Sequence, residues 1–76
     1  MNWEQKDQTL EKEFLFRNFA EAVAFVNKVA ELSEQLNHHP DILLYDYKRV
    51  RITTTTHSEG KLTEKDRELA AGIDRF

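Results

Sequence analysis

Leu10-Glu11-Lys12-Glu13-Phe14-Leu15-Phe16-Arg17-Asn18-Phe19-Ala20-Glu21 carries two periodicities back to back. As far as Arg17 the side chains alternate: Leu10, Lys12, Phe14 and Phe16 fall on one face, Glu11, Glu13, Leu15 and Arg17 on the other. A period of two with apolar residues on one side is the mark of a half-buried strand. At Asn18 the pattern changes. Asn18 followed by Glu21 has capping-box form, in which the Asn oxygen accepts from a first-turn N–H and the Glu reaches back. The chain therefore passes from strand to helix at this junction, and the fold has to mix the two.

Working backward, residues 1–17 read as two short strands. Trp3 opens the first, and Asp7-Gln8 is the turn, since Asp tolerates turn geometry and bonds its own backbone. Working forward, a helix of about five turns is predicted to run from Asn18 to about Leu36, with no Gly or Pro to interrupt it. Phe19, Val23, Val26, Ala30 and Ser33 fall on one side of it, and Phe25, Val29, Leu32 and Leu36 extend that side into an adjacent stripe. The combined face is wider than the stripe of about 100° that one sheet normally covers. Either the helix is simply well buried, or it packs on its own sheet and on a partner subunit; the second reading is preferred. The helix is predicted to stop at Asn37-His38-His39-Pro40, because a residue before proline is steered away from helical geometry.

Beyond the proline, Ile42 to Tyr45 reads as a strand, Asp46-Tyr47-Lys48 as a turn or bulge, and Val50 to Thr56 as another strand. In that last strand Val50, Ile52, Thr54 and Thr56 share one face, and Arg51, Thr53, Thr55 and His57 the other. The run of threonines suits a strand because β-branched side chains are stiff at χ1. Ser58-Glu59-Gly60-Lys61 makes a loop. Thr63 with Asp66 then signals a second helix, with Leu69, Ala70, Ile73 and Phe76 on one face. The order β-β-α-β-β-α predicts an α+β fold: one four-stranded antiparallel sheet with helices packed on one face, a single domain over residues 1–76.

The totals narrow the function classes. A chain of 76 residues is near the size at which burial alone is marginal. There is no cysteine, so neither a disulfide nor a thiolate metal site is available. Extra stability is therefore expected from association into a homodimer or homotetramer. The net charge of −3 and the lack of a basic run argue against direct binding to nucleic acid. No apolar run suggests a signal peptide or a membrane span, and a cytoplasmic protein is expected.

Chemistry concentrates between Glu34 and Asp66. All three histidines, His38, His39 and His57, and the single proline lie in this window. Histidine is the side chain whose unperturbed pKa suits proton transfer near neutral pH. A three-histidine zinc site is the metal reading. It lacks any ligand at helical or strand spacing, and no metal is expected. In the bland reading His38 caps the helix end and His39 is an exposed loop residue. Glu34 is either a solvated surface residue or the carboxylate that holds an imidazole in one tautomer. Asp66 either completes the Thr63 capping box or serves the histidines. Thr55 and Thr56 are strand residues beside His57, placed to bond a polar ring. Trp3 is read as an apolar lid on the core.

These residues carry a resemblance that covers nearly the whole chain. Glu34, three residues, His38-His39-Pro40, six residues, Tyr47, nine residues, His57, eight residues and Asp66 is a spacing similar to that of the pterin-4a-carbinolamine dehydratase family. Phe14-Leu15-Phe16-Arg17-Asn18-Phe19, Val29-Ala30-Glu31, Leu62-Thr63-Glu64-Lys65-Asp66 and Leu69-Ala70 agree in the flanks. The resemblance implies dehydration of a 4a-hydroxytetrahydropterin to quinonoid dihydropterin, as in tetrahydrobiopterin recycling, with no metal or bound cofactor. It implies catalytic roles for His38, His39 and His57, the first and last as acid/base pair and His39 chiefly in binding. Glu34 and Asp66 would orient or polarise them. Asn37, His38, His39, Thr55, Thr56, His57 and Ser58 would bind the pterin.

Three departures from the family pattern stand out. The N-terminal helix of longer members is expected to be lacking, Lys61 stands where glycine is usual before Leu62, and Asp41-Ile42-Leu43 replaces a tryptophan after the proline. The resemblance also carries an alternative: a non-catalytic binding or regulatory protein, like the members that act as dimerisation cofactors, engaging a protein partner through Phe25, Val29, Leu32 and Leu36.

Overall fold

Two hairpins and two helices make up the computed structural model, which describes residues 3–76. Residues 1 and 2 of the stretch 1–17 read as two short strands lie outside that range. Strands β1 (Glu4–Lys6) and β2 (Thr9–Leu15) pair antiparallel across Asp7-Gln8. Asp7 takes the left-handed φ of 53° that Asp tolerates better than most residues. Helix α1 (Phe19–Leu36) follows, then strands β3 (Asp41–Tyr45) and β4 (Arg49–Thr54), then helix α2 (Glu64–Ile73). The four strands form one antiparallel sheet, as the sequence predicts, and its spatial order is β1-β2-β4-β3.

Alternation decides what each strand sends inward. Leu10 and Phe14 of β2 lie opposite Thr54 and Val50 of β4, and Val50 and Ile52 are wholly buried. Ala22, Phe25 and Val29 of α1 and Leu69 and Ile73 of α2 complete one core with them, so both helices cover the same face. Gly72 marks where the helices come closest: a Cβ there would meet Leu32 Cδ2 at 2.7 Å. The opposite sheet face carries Glu13, Arg49 and Arg51 in ion pairs across β2 and β4, with Leu15 and Leu43 exposed beside them.

Several expectations need correction. Asn18 Oδ1 accepts from Glu21 N–H at 2.9 Å, but the Glu21 carboxylate accepts from the backbone N–H and guanidinium of Arg17, not from Asn18. The inward row of α1 is Ala22, Phe25, Val29 and Ser33, while Phe19 and Ala30 are exposed. Phe25 and Val29, at 8% and 0% exposure, are core residues, and Leu32 and Leu36 pack against that core. The stripe named for a protein partner is thus the helix's own contact with its sheet and with α2. β4 ends at Thr54, two residues short of the expected Thr56, which joins Lys61 by one isolated bridge. Phe76 lies beyond α2 and is half exposed, its ring edge-on to Phe25.

α1 ends by a different device from the one proline suggests. Asn37 adopts φ 53° and ψ 43°, its N–H reaches Glu34 O, and the His38 N–H reaches Ser33 O at 3.0 Å. That pair of bonds is the Schellman motif, which satisfies the last carbonyls and turns the chain sharply. Pro40 merely keeps the helix from resuming. The turn has a consequence for the site: it fixes the backbone of His38 against the end of α1.

Candidate active site

His38 and His39 leave the Schellman turn in different directions. The His38 side chain, 11% exposed, runs inward until Nε2 lies 2.7 Å from Asp66 Oδ1. The His39 side chain stays at the surface, with Nε2 2.7 Å from Glu34 Oε2. The two carboxylates therefore divide the histidine pair between them. Glu34, one turn before His38, holds His39; Asp66, from the far end of the chain, holds His38.

Asp66 is wholly buried, and its place follows from local rules. It is the third residue of α2, where a capping box with Thr63 draws its carboxylate back over the helix start. Thr63 N–H donates to Oδ2 at 3.0 Å. The last residue of β4 and the bridge residue just beyond it supply two more donors: Thr54 Oγ1 at 2.6 Å from Oδ1, and Thr56 Oγ1 at 2.7 Å from Oδ2. Burial pushes the Asp66 carboxyl up, but the bonds from Thr54, His38, Thr56 and the Thr63 N–H outweigh it and bring it down to about 2. The group is ionised at neutral pH and can only accept. It follows that His38 donates through Nε2–H. The neutral ring then carries its lone pair on Nδ1, which is the atom left to exchange a proton.

The hydroxyl chain has a direction too. Thr56 gives its one proton to Asp66, so in the 2.8 Å contact between Thr56 and Thr63 it is Thr63 that donates. Thr63 Oγ1 in turn accepts from Lys65 N–H at 3.2 Å. No buried side-chain nitrogen or oxygen among the described residues is left without a partner. A fully satisfied buried network of this kind is rigid.

The remaining candidates are arranged more loosely. His57 follows Thr56 directly, at the exposed start of the turn that closes on Lys61, and its carbonyl accepts from Gly60 N–H at 3.2 Å. Gly60 takes the positive φ of 66° that the turn needs. Ser58 is exposed in the same turn, beside a hollow of about 230 Å³ lined by Thr56, Ser58, Glu59, Thr63, Glu64 and Lys65. Thr55 lies on the opposite face of its strand from Thr54 and Thr56, and its hydroxyl donates to Gln8 O. Asn37 is exposed at the Schellman turn. Trp3 donates its indole N–H to Asp74 at 3.0 Å at the other end of the sheet face. A hollow of about 450 Å³, floored by Phe14, Phe16 and Phe25, touches none of the histidines.

Thr54 was not among the candidate residues, although the signal for it was present. A strand face that runs Val50, Ile52, Thr54, Thr56 turns from apolar to hydroxyl at its end, and a buried carboxylate is what such hydroxyls can satisfy. Among the described residues no three His, Asp or Glu side chains gather as ligands for one metal ion. No helix among them is long and apolar enough to cross a membrane.

Fold and site together define a small α+β domain that presents histidine–carboxylate pairs at the junction of its helices and sheet, an arrangement suited to general acid–base work. Comparison with known proteins is specific about which domain of that class it is. All of residues 1–76 match the family model described as "Pterin 4 alpha carbinolamine dehydratase". A protein of Sulfurisphaera tokodaii named "Putative pterin-4-alpha-carbinolamine dehydratase" is 47% identical over 74 residues, 97% of this chain and 78% of its own. A like-named protein of Thermomicrobium roseum is 50% identical over 68 residues, 90% of this chain and 72% of its own. Two solved structures are similar. A transcriptional coactivator/pterin dehydratase from Brucella melitensis superposes with a TM-score of 0.89 at 32% identity, over 96% of this chain and 79% of that one. A pterin dehydratase-like protein described as a RuBisCO assembly factor in the alpha-carboxysome gives 0.76, also at 32% identity, over 97% and 84%. The chain belongs to the pterin-4a-carbinolamine dehydratase family.

Proposed function

We propose that this protein dehydrates a 4a-hydroxytetrahydropterin to quinonoid dihydropterin and water. The observation that carries the reading is the His38–Asp66 pair: an imidazole held by Nε2 on a buried, ionised carboxylate, in a chain of this family. In the reaction the C4a–O bond breaks, the departing hydroxyl takes up a proton, and a pterin ring nitrogen gives one up. One imidazole that donates and another that accepts complete both transfers, and proton balance is kept.

His38 and His57 fill those roles, with the free Nδ1 of His38 as the exchanging atom. His39, tethered at the surface to Glu34, binds and orients the ring. Asn37 and Ser58 lie on the two turns that carry the histidines and supply polar contacts for the pterin, while Thr56, whose hydroxyl is engaged by Asp66 and Thr63, holds the turn beneath His57. Thr55, whose hydroxyl is engaged by Gln8, contributes through its backbone. Strand β3 is an edge strand, paired only with β4, and supports self-association into a homodimer or homotetramer through that edge.

The test is direct. The purified protein is mixed with freshly generated 4a-hydroxytetrahydropterin and the dehydration is followed by ultraviolet absorbance. A rate well above buffer is expected, with His57→Ala reducing it by about 100-fold or more. A native rate equal to buffer overturns the reading.

A further inference from the structure

We infer that Thr54 is a positioning residue for His38, acting through Asp66 to set which ring nitrogen the imidazole offers and where. Its kinetic consequence rests on the dehydratase reading; its structural consequence does not. The observation is that Thr54 Oγ1 and His38 Nε2 share a single oxygen, Asp66 Oδ1, at 2.6 and 2.7 Å.

An ionised carboxylate has about four lone-pair sites. Those of Asp66 are matched by Thr54 and His38 on Oδ1, and by Thr56 and the Thr63 N–H on Oδ2. Asp66 has no exposure to solvent, so water cannot replace a missing donor. The terminal torsion of an Asp side chain is broad, and its plane is held by what it bonds. Thr63 belongs to the start of α2, and Thr56 to the turn beyond β4. Thr54 alone ties the carboxylate to the regular part of the sheet, where it pairs with Leu10 of β2 and is 1% exposed. Without its hydroxyl, Oδ1 retains an unfilled site on the side that meets His38. The carboxylate then rotates toward its remaining donors, and the imidazole loses the fixed acceptor that commits Nε2 to donate.

The chain that leaves this strand carries the second proposed catalytic histidine. β4 ends at Thr54, and Thr55, Thr56 and His57 follow it directly, so the end of β4 is the common reference for both imidazoles. Thr54 is where His38, which arrives from the end of α1, is registered against the segment that delivers His57.

The test is ¹⁵N NMR of the ring nitrogens in the native protein, Thr54→Val and Thr54→Ser, joined to steady-state kinetics. In the native protein the neutral His38 ring is expected as the Nε2–H tautomer, with well-separated Nδ1 and Nε2 shifts. In Thr54→Val, which keeps the volume and removes the donor, the two shifts move toward each other while His39 is unaffected. The kcat falls by about tenfold with little change in KM, the scale of one lost hydrogen bond, and Thr54→Ser restores both. A Thr54→Val protein with native ring shifts and native kcat, changed only in melting temperature, overturns the inference. Converging shifts in a protein that is inactive even as native support it while removing the dehydratase reading. If Thr54→Val does not fold, the native protein suffices: a slowly exchanging Thr54 hydroxyl proton close to the His38 ring N–H supports the shared-oxygen arrangement, and its absence overturns it.

Discussion

Asp66 Oδ1 lies 2.7 Å from His38 Nε2, joining the first turn of α2 to the residue that follows the Schellman end of α1. Twenty-eight positions of sequence separate the two. The contact therefore exists only when both helices have docked on the sheet, so proposed chemistry and tertiary packing depend on one bond.

Breaking the pair from the carboxylate side is expected to be costly. Asp66→Asn removes the charge yet leaves Thr54, Thr56 and Thr63 N–H aimed at one remaining acceptor oxygen and an amide that cannot accept. Leaving a buried donor without its acceptor costs about 1–3 kcal/mol. Urea denaturation of the variant should show a loss of that size. A loss below about 1 kcal/mol would mean that the network contributes no more than a surface pair.

Acid should weaken the fold through the same residue. Asp66 titrates at about 2 in the folded protein against an ordinary 3.8, so the folded state binds its proton less readily than the unfolded one. The associated stability is fully present above the ordinary value and disappears as pH falls toward about 2. It amounts to about 2 kcal/mol. Urea midpoints of the native protein and of Asp66→Asn, taken at about pH 6 and about pH 2, should converge at the acid end. Equal slopes with pH in both proteins would contradict the assignment.

The exposed pair should behave differently. His39 and Glu34 meet at the same distance as His38 and Asp66, but with side chains 56% and 78% exposed. Solvent-exposed pairs contribute about 0–1 kcal/mol. Glu34→Gln is expected to leave stability within about 0.5 kcal/mol of native by the same denaturation assay, and to act, if the proposal holds, on KM more than on kcat.

Tyr47 offers a test of stored strain. Its φ of 49° places a bulky aromatic in the left-handed region, next to Asp46 at 50°, and its side chain is 54% exposed. Left-handed backbone costs an ordinary residue about 1–2 kcal/mol, and Asn far less. Tyr47→Asn should therefore raise the stability by up to about 1 kcal/mol. A lower melting temperature would show that the ring makes a contact more valuable than the strain.

Much of this architecture was legible in the sequence because it is encoded locally. Alternation from Leu10 to Phe16, the Asn18 and Thr63 caps and the Val50-Ile52-Thr54-Thr56 face each depend on residues a few places apart, and the elements they predict appear, with ends shifted by a few residues. The phase of α1 was harder. Its apolar residues spread over half its circumference, and only docking selects Ala22, Phe25, Val29 and Ser33 as the inward row. The end of α1 misled for another reason: Pro40 is a conspicuous stop, while Asn37 stops the helix first by accepting a left-handed conformation. Which carboxylate meets which histidine was not readable, because that pairing is set by how α2 lies against β4. The placement of His57 beside Thr56 was readable; that the hydroxyls of Thr54 and Thr56 hold Asp66 depends on how α2 docks.

The measurement closest to the central claim is the rate of 4a-hydroxytetrahydropterin dehydration for the native protein beside His38→Ala, with folding of the variant checked by circular dichroism. Positioned acid–base groups contribute about 100- to 10,000-fold. Native turnover far above buffer is expected, with a loss within that range in a folded His38→Ala. A folded His38→Ala that retains native turnover would contradict that expectation, since the buried pair would then hold the fold together without taking part in the chemistry.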